Sequence, residues 1–199
     1  MRKALILIAT VVLSGCSFYS GPERLVAFDT AVGKVDMKKS FFLAYPEDGK
    51  QLTFLSKEEI NTASAEEVID AFSSRFSKTF GTLATGKKGA GLENSFKEAQ
   101  LRKDDYLVAF DITYWKDSPY LTCNPQNNKP PVEALLDKLD VTITVYNVAD
   151  ETIVNRQRVQ SEGCPIVLLG FIPLGANSPT ARFQKSLDVW YKNVTVFGK

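Results

Sequence analysis

The chain has 199 residues, 44% of them hydrophobic, and its 24 basic and 23 acidic residues give a formal net charge of +1. This length suits a single domain, and a near-neutral chain without a basic stripe argues against nucleic acid as a partner. The sequence contains no histidine. Ser-His-Asp and Cys-His catalysis are therefore excluded, and the commonest zinc ligand is missing. We expect no catalytic residues, no metal site and no cofactor.

Residues 1–15 have the pattern of an export signal. Arg2 and Lys3 provide a positive start, and residues 4–13 are apolar except for Thr10. A membrane-spanning helix needs about 20 apolar residues, so this run is too short to remain as an anchor. A basic start, a short apolar core and small residues before a cut are typical of a signal peptide that is removed. The alternative, a buried N-terminal helix, is disfavoured because the run has no polar face.

The apolar run ends in Leu13-Ser14-Gly15-Cys16, which resembles the lipobox of bacterial lipoproteins. The resemblance implies a diacylglycerol group on the Cys16 sulfur, cleavage before Cys16, and a further acyl chain such as palmitate on the new amine. Two or more chains give a stable membrane anchor. The resemblance also implies that Ser17, in place of aspartate, directs the protein to the outer membrane of a Gram-negative host, facing the periplasm. A chance cysteine is the alternative.

We divide the chain into a signal peptide (1–15), a lipidated tether (16–24) and one domain (25–199). The tether has no repeating pattern and contains serine, glycine and proline. Residues 25–28 and 40–45 have the apolar and aromatic character of strands. The domain therefore begins with strands.

A capping box indicates the first helix, since Ser64 is followed three residues later by Glu67. Apolar residues then recur at helical spacing on one face; they are Val68, Ile69, Phe72, Phe76 and Phe80. A short strand at 82–85 and a second helix at 92–101 follow. The first half of the domain thus alternates strands and helices.

The second half of the domain is predicted to contain three consecutive strands. Residues 106–115 are apolar on both faces in their first half, as expected of a central strand. Residues 139–146 alternate apolar and polar side chains, and 153–161 carry two arginines on one face, which is typical of an edge. Ser178 and Pro179 begin a last helix. The order β-α-β-α-β-β-β-α predicts an α/β fold with a single mixed sheet and helices mainly on one face.

Besides Cys16, the chain has Cys123 and Cys164. An even number of cysteines in an exported chain favours a disulfide bond. If the strands at 106–115 and 153–161 run in the same direction, both cysteines leave the sheet at the same end. We expect a bridge there, and two free thiols are the alternative.

Three aromatic residues, Tyr114, Trp115 and Tyr120, gather at this end of the predicted sheet and are candidate contacts for a partner or ligand. Ordinary packing is the alternative for them. The stretch 164–181 carries no charge. It is either a buried strand and loop or, if exposed, a surface for a partner or a membrane.

Carboxylates offer another possible chemistry, that of a hydrolase. Asp104, Asp105, Asp111 and Asp117 are the candidates. Such catalysis requires two carboxylates facing each other in a cleft. Asp111 and Asp117 are an even number of residues apart and could share a sheet face with Trp115. We interpret all four as polar surface residues.

Five features of the chain carry a family resemblance: Asp104-Asp105-Tyr106-Leu107-Val108, Tyr114-Trp115-Lys116-Asp117, the turn Tyr45-Pro46-Glu47-Asp48-Gly49, the hairpin at 148–153 and the closing amphipathic helix. Together they resemble an uncharacterised family of bacterial lipoproteins, catalogued as a domain of unknown function. The architecture of that family is similar to the amino-terminal domain of TolB and to lipoprotein activators of cell-wall synthases. The resemblance implies a periplasmic interaction module and brings no catalytic residues.

From the sequence we therefore predict a non-enzymatic, lipid-anchored lipoprotein of the cell envelope. Its predicted partners are the membrane, through the lipid on Cys16, and another envelope protein. The loop 116–138 and the segment 164–177 form the predicted contact end. The alternative is a periplasmic module that binds a small ligand or a glycan through Trp115 and the nearby tyrosines.

Overall fold

The computed structural model describes residues 24–47, 50–51, 59–60, 64–116, 137–163, 167–168, 172–173 and 178–195. The strands are β1 (Arg24–Val32), β2 (Ser40–Leu43), β3 (Lys50–Gln51), β4 (Glu59–Ile60), β5 (Thr82–Thr85), β6 (Tyr106–Lys116), β7 (Asp137–Asn147), β8 (Ile153–Gly163), β9 (Val167–Leu168) and β10 (Ile172–Pro173). The helices are α1 (Ser64–Phe76), α2 (Gly91–Arg102) and α3 (Pro179–Val194). Within the described ranges, no helix has both the length and the apolar character needed to cross a membrane.

Six strands form one mixed sheet in the order β1-β8-β7-β6-β2-β5. β2 is parallel to both β5 and β6, whereas β6, β7, β8 and β1 are antiparallel, each to the next. The pairs β3–β4 and β9–β10 form two small separate sheets. The predicted order corresponds to β2-α1-β5-α2-β6-β7-β8-α3, so the α/β fold class is confirmed. The candidate strand at 25–28 is part of β1, which adds an edge strand.

The sheet lies between two hydrophobic cores, because successive residues of a strand point to opposite faces. Phe41 and Leu43 of β2 enter the larger core, together with the apolar residues of α1 and α3. Phe42, between them, enters a smaller core with Phe96 and Ala99 of α2. Two of the three helices in the described ranges therefore share one face, as predicted, and α2 covers the other.

The strand order explains why α1 and α2 lie on opposite faces. α1 connects β2 to its outer neighbour β5, and α2 leads back across β2 to β6. Crossovers between parallel strands are almost always right-handed. Two such crossovers that move in opposite directions along the sheet place their helices on opposite faces.

Phe72 of α1 lies at the centre of the larger core. Its ring centroid is between 4.8 and 5.8 Å from those of Phe76, Phe80, Phe110 and Trp190. Phe110 belongs to β6 and Trp190 to α3, so this aromatic cluster joins both helices to the central strand. Aromatic pairs in this distance range stabilise a fold by more than the burial of their surface area alone would give.

Candidate functional site

A β-bulge near the end of β6 decides which of the predicted contact residues enters the core. Phe110 and Ile112 face the larger core, so strict alternation would place Tyr114 there as well. The pairing with β7 instead shifts between Ile112 and Tyr114, which leaves Thr113 as an extra residue. Trp115 therefore enters the core and is 1% exposed, while Tyr114 is half-buried.

The buried indole of Trp115 belongs to a hydrogen-bond network around one carboxylate. Its Nε1–H donates to Glu67 Oε2 on α1 at 2.9 Å, and the Thr180 hydroxyl on α3 donates to the same oxygen at 2.7 Å. The Trp115 ring also meets Phe183 edge-on, with ring centroids 5.7 Å apart. Hydrogen bonds to an ionised acceptor are stronger than neutral ones. Glu67 thus ties the end of β6 to the first turns of α1 and α3.

Arg182 joins the beginning of α3 to the end of β8. The residue is 2% exposed, and its Nη1 donates to Ser161 Oγ at 3.4 Å and to the Glu162 carbonyl oxygen at 3.1 Å. The Glu162 carboxylate lies 3.7 Å from Lys138 Nζ on β7. A buried guanidinium is costly unless its hydrogen bonds are made, so these contacts hold α3 in place against β8.

We call the end of the sheet at Lys116, Asp137 and Gly163 the upper end, because the register brings β6, β7 and β8 together there. β6 and β8 run towards it and β7 runs away from it. The connections 117–136 and 164–177 therefore both begin at the upper end. Four of the predicted site residues lie outside the described residues: Cys16, Tyr120, Cys123 and Cys164. The lipidation and the disulfide bond remain predictions.

At the opposite, lower end of the sheet, Asp105 joins the beginnings of β2 and β6. Its carboxylate accepts hydrogen bonds from the Ser40 N–H at 3.1 Å, the Ser40 hydroxyl at 2.8 Å and Lys39 Nζ at 3.1 Å. Partial burial works to raise the pKa of Asp105, but the hydrogen bonds from Ser40 and Lys39 outweigh it, and the pKa is lowered. Asp104 is buried and pairs with Arg102 at 2.9 Å. Both aspartates therefore have structural partners.

Of the other two candidate carboxylates, only Asp111 is among the described residues. Asp111 is exposed on β6, and the bulge separates it from the face of Trp115; Asp117 lies outside the described residues. Asp140 accepts hydrogen bonds from Arg158 and Gln160, and the bond to Asp140 raises the pKa of Arg158. Within the described ranges, no group of three His, Cys, Asp or Glu residues could hold a metal ion.

A shallow groove of about 420 Å³ lies between α1 and α3. It is lined by Ser74, Arg75, Ala181, Gln184, Lys185 and Asp188. Arg75 donates across it to Asp188, and both side chains are nearly half exposed. Exposed ion pairs of this kind contribute little energy. The groove is open, and most of its lining residues have polar or charged side chains, unlike the concave apolar pockets that bind small molecules.

These elements define an α/β domain with a mixed sheet, two helices on one face and one on the other. The same architecture occurs in a PelC dodecamer structure from Paraburkholderia phytofirmans, with a TM-score of 0.54 and 10% sequence identity. The match covers 88% of this chain and 98% of that chain. At this identity, the similarity shows a shared fold.

Two further solved structures are similar at lower TM-scores. One is a protein from Xanthomonas campestris assigned to family DUF330, with a TM-score of 0.45, 11% identity, and coverage of 85% of this chain and 90% of that one. The other is a lipoprotein from Neisseria meningitidis, with a TM-score of 0.42, 9% identity, and coverage of 77% and 99%. No family model and no curated protein matches the chain. The solved structures to which the chain is similar thus include a DUF330 protein and a lipoprotein.

Substitution of Trp115 tests the network at Glu67. Trp115→Phe keeps most of the ring packing and removes one donor to the carboxylate, so we expect a loss of about 1 to 2 kcal/mol in the free energy of unfolding. Trp115→Ala also leaves a cavity and should cost about 3 to 5 kcal/mol. Urea denaturation measures both, with Tyr114→Phe as the control on the neighbouring half-buried ring. Equal stability of Trp115→Phe and the wild type would show that the hydrogen bond from Trp115 to Glu67 does not stabilise the fold.

The lowered pKa of Asp105 predicts an acid-dependent loss of stability. Because the folded-state pKa is below the ordinary value of 3.8, the ionised group stabilises the fold above that value, and this contribution disappears as the pH falls through the folded-state pKa. Asp105→Asn should therefore flatten the decline in unfolding free energy below about pH 4. The exposed Asp111→Asn is the matched control. If the unfolding free energies of Asp105→Asn and the wild type fall in parallel as the pH is lowered, the ionisation of Asp105 does not stabilise the fold.

Proposed function

We propose that this chain is a lipid-anchored protein of the bacterial cell envelope that acts by binding another envelope protein and not by catalysis. The observation that carries the proposal is Leu13-Ser14-Gly15-Cys16, placed directly after a basic start and a short apolar run. A lipid on Cys16 fixes the domain to a membrane leaflet outside the cytoplasm. In a Gram-negative host, this leaflet is the periplasmic face of the outer membrane.

The positions of the charged residues support a binding role. Two of the candidate hydrolase carboxylates make structural contacts, since Asp105 holds β2 against β6 and Asp104 pairs with Arg102. A catalytic carboxylate instead needs a position that faces substrate. These contacts are those of a structural scaffold, which supports a binding role.

The alternative proposal, a module that binds a small ligand or a glycan, depends on an accessible aromatic platform. Trp115 is the central residue of such a platform, but its ring is 1% exposed and its indole N–H donates to Glu67. Stacking on a sugar requires an open ring face. The burial of Trp115 therefore argues against a glycan platform built on this residue.

Replacement of Cys16 tests the anchor and the partner together. Cells that express the tagged chain are fed a labelled palmitate analogue and treated with a membrane-permeable cross-linker. We expect the wild type and the matched control Ser20→Ala, a change in the tether that keeps Cys16, to carry the label and to form a discrete adduct with a second envelope protein. Cys16→Ser should lose the label, and the adduct should weaken at least tenfold, because the anchor concentrates the domain at the membrane surface.

The two readouts separate the two parts of the proposal. A wild-type chain without label contradicts the lipid anchor. A labelled wild-type chain that yields no adduct beyond that of an unrelated lipoprotein contradicts the role in protein binding.

A further inference from the structure

We propose that the outer edge of β5 is a docking site, at which an extended acidic segment of the envelope partner adds to the sheet as a further strand. This inference rests on the proposed protein-binding function, and it assigns that function a surface and a mode of binding. The evidence comes from the open edge of β5, the direction of its N–H groups and the lysines around it.

β5 is the last strand of the six-stranded sheet and pairs on one side only, with β2. The threonines at its two ends are exposed, and the two residues between them are half-buried. An exposed edge strand offers backbone donors and acceptors to another chain. At the other edge of the sheet, the register of β1 against β8 is irregular, and irregular pairing protects an edge. β5 is therefore the edge that is better suited to receive a strand.

The parallel pairing with β2 determines which backbone groups of β5 point outwards. Leu43 pairs with Thr85, and the Gly86 N–H donates to the Leu43 carbonyl oxygen at 2.8 Å. The N–H and C=O groups of successive residues point to opposite sides of a strand, so Ala84, like Gly86, faces β2. Leu83 and Thr85 face away from β2, and among the residues that the structure describes no hydrogen-bond partner faces them. These two residues can therefore form main-chain hydrogen bonds with a further strand.

Lysines flank β5 at both ends. The stretch 71–92, which includes β5, has four basic residues and no acidic residue. The turn that contains Lys38 lies beside the beginning of β5, because the Gly81 N–H donates to the carbonyl oxygens of Met37 at 3.1 Å and Lys39 at 3.2 Å. The surroundings of this edge are therefore basic.

Three of the lysines near β5 have no compensating carboxylate. Two others form ion pairs with Asp105 and Glu66. In the described part of the chain, Lys38, Lys78 and Lys87 form no ion pair, and all three are exposed. Opposite charges on neighbouring strands attract, and complementary charge selects a partner. The edge therefore favours a strand that carries aspartate or glutamate.

The same charges argue against a second copy of this chain as the occupant. Antiparallel pairing of two β5 strands would bring Lys87 of one copy towards Lys78 of the other. Like charges opposite each other destabilise a sheet, and lysines at an edge strand prevent self-association. The occupant that this edge favours is therefore an acidic segment of a different protein.

Solvent exchange of amide protons, measured by NMR, tests the site. The complete chain, purified as the cell makes it and labelled with ¹⁵N, is kept in a neutral detergent and given a millimolar excess of a capped peptide of alternating glutamate and valine. We expect exchange at Leu83 and Thr85 to slow at least fivefold, and exchange at Ala84 to change little, because its N–H faces β2. The same peptide with lysine in place of glutamate is the control. Unchanged exchange at Leu83 and Thr85, or equal slowing by both peptides, would overturn the inference.

Two variants of Thr85 separate the backbone contact from side-chain contacts. Thr85→Pro removes an outward N–H and leaves the pairing with β2 in place, since proline is tolerated where the N–H of an edge strand faces solvent. It should reduce the slowing at Leu83 at least threefold. Thr85→Val keeps the N–H and should respond as the wild type does. Undiminished slowing at Leu83 in Thr85→Pro would overturn the docking site.

A charge reversal examines the edge without changing its backbone, and it decides if Thr85→Pro does not fold. Lys87→Glu should weaken the effect of the glutamate peptide at least threefold. The exposed Lys192→Glu on α3 is the matched control and should leave the effect unchanged. Equal responses of the two variants would overturn the acidic occupant.

Cross-linking in cells distinguishes a failure of this inference from a failure of the proposed function. A labelled wild-type chain that forms no adduct contradicts the proposed function. An adduct that remains as strong in Thr85→Pro as in Thr85→Val and the wild type contradicts only the docking site at β5.

Discussion

The antiparallel pairing of β6, β7, β8 and β1 is the constraint on which the rest of the structure depends. These strands alternate in direction. The last residues of β6 and β8 and the first residues of β7 and β1 therefore all lie at the upper end of the sheet. The N-terminal tether and the two long connections are thereby brought to one end. The lower end instead has the short turn between β7 and β8 and the beginnings of β2 and β6. One pattern of hydrogen bonds thus places the long connections at one end of the sheet and the short turn at the other.

Each end of the sheet is held together by a carboxylate that accepts several hydrogen bonds. Glu67 accepts hydrogen bonds from Trp115 and Thr180 near the upper end. Asp105 accepts hydrogen bonds from Ser40 and Lys39 at the lower end. Both carboxylates join elements that are far apart in sequence, so they stabilise the arrangement of strands and helices around the aromatic core. A rigid scaffold of this kind suits a protein that presents connecting segments to a membrane or a partner, because loops positioned by fixed elements lose less entropy on binding.

The order of the elements could be predicted because the spacing of apolar residues differs between helices and strands and can be seen in short stretches of sequence. Phe72 and Phe76 recur at helical spacing in α1, and the alternation of β7 identifies one buried face. The position of Trp115 could not be predicted in this way, since a single extra residue at Thr113 reverses the faces that follow and has no signature in composition. The placement of α2 on the second face was likewise inaccessible, because it depends on the order of strands that pair across long stretches of sequence.

The central claim is that fatty chains on Cys16 hold this domain at a membrane, and mass spectrometry of the N-terminal peptide from the membrane fraction tests it most directly. The account predicts a peptide that begins at Cys16 and carries the mass of a diacylglyceryl group, with or without one further acyl chain. A peptide that begins at Met1 and contains an unmodified Cys16 would contradict the anchor.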